Sequence, residues 1–158
     1  MAEMQIIVFK VGQEVYGADV TYIKGIEKML PIVRVPTSVP HVLGVVNLRG
    51  KVLPVLSLPS KFGVGTGKDI TDDSRFLIVS YDDMDVALFV DEVSEIETIS
   101  EENYFDTPLI VRSSDTEYVK AIINNGKRLI VLIDHMNLIP MESQDKMKEI
   151  LKDDKKEE

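Results

Sequence analysis

The chain has 158 residues, 44% hydrophobic and 28% charged, with no cysteine and a formal net charge of −9. That length supports one domain, or two small lobes sharing a core. It excludes disulfides and thiol nucleophiles, and its acidity disfavours nucleic-acid backbone and anionic lipid as partners.

Met4 to Val11 is rich in branched and aromatic residues and predicts a strand. Gly12-Gln13-Glu14 turns it back into Val15 to Ala18, giving a first hairpin. Val20, Ile23 and Ile26 sit three apart, which suits one helical turn leading into a short strand around Ile26. Pro31 and Pro36 frame an expected edge strand, Ile32 to Val35, and Thr37 or Ser38 caps a short turn.

Val42 to Phe62 is the most apolar stretch and predicts two buried strands around the polar turn Asn47-Leu48-Arg49-Gly50-Lys51. Ser57 then caps a brief helix over Leu58 and Phe62. Gly63 to Arg75 breaks the composition and reads as a surface linker. A phosphate loop there is rejected, because Phe62 and Asp69 stand where Gly and Ser or Thr are needed.

Beyond the linker the first half repeats. Arg75 to Tyr81 matches Gln5 to Val11, and at the same offset Val86 to Val90 falls on Tyr16 to Val20, with Val93 and Ile96 on Ile23 and Ile26. Tyr118 to Gly126 matches Val42 to Gly50, Leu129 to Ile133 matches Val52 to Leu56, and Asp134 takes the capping role of Ser57. Two copies of about five short strands each have the spacing of small barrels. The second copy turns at Asn124-Asn125-Gly126, a two-residue signal, with no arginine in the place of Arg49. Ser100 to Glu117 reads as a partly ordered loop with an apolar island, Pro108 to Val111. Met147, Ile150 and Leu151 predict a marginal C-terminal helix, followed by a charged tail, Lys152 to Glu158.

Catalytic constellations are not evident. His41 and His135 lie far apart without an i+4 partner, which argues against zinc, and no Gly-x-Ser-x-Gly elbow occurs. Asp106-Thr107-Pro108 and Asp115-Thr116-Glu117 share one loop, so a two-lobed aspartic protease fails. Asp91, Glu92, Glu95 and Glu97 lack the spacing of a calcium loop and read as a solvated face or edge protection. No apolar run approaches the roughly 18–20 residues that cross a bilayer, and no basic start with a cleavage site is present. Neither metal nor other cofactor is expected, and a cytoplasmic setting fits the absence of cysteine. What remains is Arg49 with Gly44 and Gly50, and the apolar residues Ile23, Ile26 and Val46. Arg49 is either a hairpin arginine in water or one placed to meet a partner.

Gly44-Val-Val-Asn-Leu-Arg-Gly-Lys-Val-Leu-Pro-Val-Leu56, followed by Leu58 and Phe62-Gly63, resembles the signature of the CheW-like coupling domains of bacterial chemotaxis. Tyr16-Gly17-x-Asp19 and the second hairpin also match, so the resemblance covers about residues 4 to 140. It implies an all-β fold: two five-stranded barrels of the Src-homology-3 type around a shared hydrophobic core. Residues 15–66 would be mainly the first barrel and 75–140 mainly the second, with exchange of terminal strands left open, and 141–158 a helix and tail. It implies a non-enzymatic adaptor, recruited to membrane receptor arrays. Its partners would be the CheW-like regulatory domain of the histidine kinase CheA and the cytoplasmic tip of methyl-accepting chemoreceptors. Asn47, Arg49, Gly44 and Gly50 fall on the family's coupling region, and Ile23 and Gly25 on a stretch linked with receptor binding. Gly25 stands where some relatives carry a carboxylate, so the contact implied differs in detail. The competing reading from another class is a small-barrel ligand-binding module or enzyme subunit using Arg49 to hold an anion.

Overall fold

The structure is a computed structural model that describes residues 3–64, 70–106 and 117–156. The glycine-rich centre of the linker, 65–69, and the apolar island Pro108 to Val111 with Asp115 lie outside the described residues. The strands are β1 (Glu3–Val11), β2 (Glu14–Asp19), β3 (Gly25–Lys28), β4 (Val42–Leu48), β5 (Lys51–Ser57), β6 (Arg75–Tyr81), β7 (Met84–Val90), β8 (Glu92–Ser100), β9 (Tyr104–Asp106), β10 (Val119–Asn124) and β11 (Leu129–Ile133). Two α-helices, α1 (Leu58–Phe62) and α2 (Met141–Lys156), accompany them.

The strands form two small barrels. One sheet runs β8-β1-β2-β11-β10-β9 and the other β3-β6-β7-β5-β4. We call them the A and B barrels. The division at residues 15–66 and 75–140 needs correcting, because the leading hairpin of each copy joins the strands of the other. β2 pairs in parallel with β11, Val131 opposite Tyr16, and β5 pairs in parallel with β7, Val55 opposite Ala87. The A sheet also has six strands where five were expected, since β9 pairs with β10 inside what reads as loop.

Packing explains why the exchanged hairpins are apolar on both faces. Ile6 and Val8 of β1 fill the A barrel with Ile99, Ile123, Ile130 and Leu132, whereas Ile7, Phe9 and Val11 face a core shared by both halves. β6 and β7 behave alike: Phe76, Ile78, Ala87 and Phe89 fill the B barrel, while Leu77, Val79, Val86, Leu88 and Val90 enter the shared core. Side chains alternate across a strand, so only a strand buried on both sides reads as an unbroken apolar run.

Local chemistry sets the ends. Ser57 accepts from the Ser60 amide at the start of α1, and Asp134 accepts from Met136 at a short turn over His135–Asn137. Phe62, at the end of α1, sits between the rings of Tyr16 and Tyr118, with centroids 4.6 and 4.7 Å away, and so fastens the first copy's helix to the A barrel. The expected edge strand at Ile32 to Val35 reduces to one bridge, Val33 with Val45, because the prolines on either side supply no amide. α2 is less marginal than its composition predicts, since Met147 is fully buried in the shared core and Leu151 packs against it.

Candidate functional site

β3 and β4 are the two edges of the B sheet. The turn between β4 and β5 brings them together. Leu48 pairs with Lys51, leaving Arg49 and Gly50 as a two-residue turn with φ of 51° and 87°. Both values are positive, as a type I′ hairpin turn requires. Asn47 fixes the turn by accepting from the Gly50 amide at 2.8 Å through its side-chain oxygen. Arg49 then reaches across to β3, where its Nη2 donates to Glu27 Oε1 at 2.8 Å. The arginine side chain is 74% exposed and the glutamate 22%. Arg49 is therefore a guanidinium held at the barrel's open edge, with most of its surface in solvent.

Glu27 lies two residues beyond Gly25 on β3. Residues two apart on a strand face the same side. A carboxylate at position 27 therefore occupies the side that one at 25 would. The site of Gly25 is open, since an added Cβ would meet nothing nearer than Glu27 Oε1 at 3.8 Å.

The other expected site residues divide. Ile26 lies opposite Leu77 and is 42% exposed, at the rim of the shared core, and Ile23 packs against that core. Glu27 lies opposite Phe76, on the side of the B-barrel interior. The two isoleucines and the Arg49–Glu27 pair therefore occupy opposite sides of the β3 edge. Val46 must be corrected as a surface residue, because it is buried inside the B barrel among Leu53, Phe76 and Phe89. Gly44, at φ 151°, is explained by packing: a Cβ there would collide with the carbonyl of Val33.

Lys24 and Lys51, flanking the same corner, each place Nζ 3.0 Å from Asp85. Burial pushes the Asp85 carboxyl up, but hydrogen bonds from Ser80, Lys51 and Lys24 outweigh it and hold the group at about 2.

Asn125 stands at the place of Arg49 in the second copy, yet that copy's turn also carries an arginine. The A-barrel turn runs over four residues, two more than its counterpart, since Asn124 pairs with Leu129, and its last residue is Arg128. Its Nη2 lies 3.0 Å from Glu95 Oε1 and 3.6 Å from Glu97 Oε2, both on the edge strand β8. Asn125 adds a bond to Glu97 at 3.0 Å. Glu97 falls on Glu27 in the repeat, so each barrel joins its turn to its edge strand by the same kind of pair. The acidic run on β8 is thus only partly a solvated face. The two clamps differ in exposure: Arg128 is 34% exposed, and its Nε and Glu97 Oε2 are buried without a hydrogen bond. The sequence signal for both was a glutamate repeated at one offset, each opposite a turn carrying arginine.

The CheW-like domain profile matches residues 5–143. The chain belongs to that family. This CheW-like domain is 34% identical over 139 residues to the chemotaxis protein CheW of Bacillus subtilis, covering 88% of each chain. It is 32% identical over 130 residues to that of Helicobacter pylori, covering 82% of this chain and 78% of the other. The crystal structure of the scaffolding protein TtCheW from Thermoanaerobacter tengcongensis superposes with a TM-score of 0.78 at 31% identity, over 87% of this chain and 92% of that one.

Proposed function

We propose that this CheW-like domain is a non-enzymatic adaptor of bacterial chemotaxis signalling, coupling chemoreceptors to the histidine kinase CheA at the cytoplasmic face of receptor arrays. The observation that carries the reading is the exposed Arg49, presented at the open edge of a barrel by a turn whose geometry Asn47 and Gly50 fix. A planar fork of donors already engaging one carboxylate suits a protein surface bearing carboxylates and backbone acceptors better than a captured free anion. The relatives named for chemotaxis and the scaffolding protein with the same fold support it. On the other side of the β3 edge, Ile26 and the partly buried Ile23 offer a separate apolar surface, suited to an amphipathic helix such as a receptor tip. Gly25 leaves backbone accessible beside them.

The test is co-sedimentation of the chain with receptor-bearing membranes, with and without CheA, combined with a kinase assay. Joint sedimentation with raised autophosphorylation is expected. Failure to join either partner would end the proposal.

A further inference from the structure

His135 is a buried imidazole beside the core shared by the two barrels. It is 7% exposed, with Tyr22 on one side at 5.0 Å and Tyr81 on the other at 5.5 Å between centroids. Its backbone carbonyl accepts from the Tyr81 hydroxyl at 2.5 Å, which holds the residue in place independently of its ring. Tyr22 ends the single-turn helix Val20–Tyr22, which leads through Ile23 into β3, where Ile23 and Lys24 donate their amides to Val20 and Ile78. The Tyr22 ring is itself half exposed, so it is the movable side of the sandwich.

We propose that His135 is a proton-sensitive latch on the Val20–Tyr22 turn: protonation drives the ring out from beneath Tyr22 and loosens the segment that carries Ile23 into β3. The neutral ring has one N–H to satisfy, and the Ser80 backbone beside it favours the protonated form. The charged ring has two N–H groups, and the second is hydrated only if the ring turns out into the recess beneath Tyr22. Asp134 and the two tyrosine faces favour the cation, and Asp19 and Lys120 line the same recess with opposite charges. Asp134 is already occupied in capping, since its carboxylate accepts from Met136 and Asn137. Burial outweighs these and lowers the His135 pKa from its ordinary value. The sign follows. A histidine kept neutral by the fold costs stability as pH falls below the unfolded value, so acid opens the latch.

The experiment needs no partner. The chain has two histidines, so proton NMR assigns both by comparison with His41→Gln. Amide exchange at residues 20–24 is followed from pH 7.5 to 5. The His135 ring is expected to titrate below about 6.5. Exchange at Ile23 and Lys24, taken relative to the intrinsic base-catalysed rate at each pH, should accelerate severalfold through that same transition. His135→Phe, which keeps a ring between the tyrosines, should abolish the acceleration. Ordinary titration of His135 with unchanged exchange at 20–24 would overturn the proposal. So would a pH step that survives in His135→Phe. If that variant does not fold, the parent titration and exchange profiles decide alone.

Discussion

The two arginine clamps predict opposite rankings for stability and for binding. Arg49→Ala removes an ion pair whose cation is 74% exposed, and such pairs contribute about 0–1 kcal/mol. Backbone strain at φ 51° is unchanged, because alanine pays it as arginine does. For a domain of this size about 1 kcal/mol corresponds to roughly 2–4 °C, so a melt by circular dichroism should shift by no more than that. Arg128→Ala removes the hydrogen bond to Glu95 and the cation 3.6 Å from the buried Glu97 oxygen, leaving that carboxylate the Asn125 bond on its other oxygen. Leaving a partly buried carboxylate without its cation costs about 1–3 kcal/mol, a shift of roughly 2–12 °C. Under the proposed adaptor role the binding ranking inverts. Arg49→Ala should weaken co-sedimentation with receptor and kinase by tenfold or more, while folded Arg128→Ala should keep it within about twofold. The exchange Arg49→Glu with Glu27→Arg restores the intramolecular pair but moves the guanidinium, so it should rescue the melt and not the binding. Equal binding losses from both arginines, or full binding by Arg49→Ala, would refute the reasoning.

Gly44→Ala should destabilise strongly and free residues 30–35 from β4, read as faster amide exchange at Val33 and Val45, whereas Gly25→Ala should melt like the parent. Asp85, held at about 2, contributes stability that is fully present above the ordinary carboxylate range and is lost as pH falls from about 4 towards 2. Asp85→Asn should flatten that limb of an acid titration followed by fluorescence or circular dichroism. Residues 1–64 alone should be unfolded by circular dichroism, since β4 and β5 are then without β6 and β7, and adding residues 70–158 should restore native signal. Met147→Ala should cost about 2–5 kcal/mol in a denaturant titration, while removing 152–158 should leave the midpoint nearly unchanged.

Much of this was legible in the residues. The hairpins, the caps at Ser57 and Asp134 and the duplication follow from alternation, side-chain oxygens and a repeated offset, which are local signals. Which barrel a hairpin completes is not local. β1 carries the same residues whether Ile6 and Val8 face its own copy or the other, so only the apolarity of both faces hinted at two layers. Arg128 was hidden by the longer turn, four residues against two, which sets the arginine past the position that matches Arg49. Val46 was misplaced because alternation gives two faces without saying which is inside. Glu27 was visible as a charge, but its tie to Arg49 spans the closure of a barrel, a distance that strand patterns do not encode.

The crossed hairpins also constrain how the chain is made. Synthesis proceeds from the amino terminus at about 5–20 residues per second, and β2 must wait for β11. The intervening stretch takes on the order of ten seconds to emerge at those rates. Throughout that interval β1 and β2 stand outside the ribosome with both apolar faces uncovered, and β4 and β5 wait likewise for β7. Neither barrel can close on nascent chain from one copy alone. The cell therefore has to shelter an adhesive hairpin from its neighbours until the last strands arrive, and a translational pause between β5 and β6 would lengthen its exposure without bringing either barrel nearer to completion.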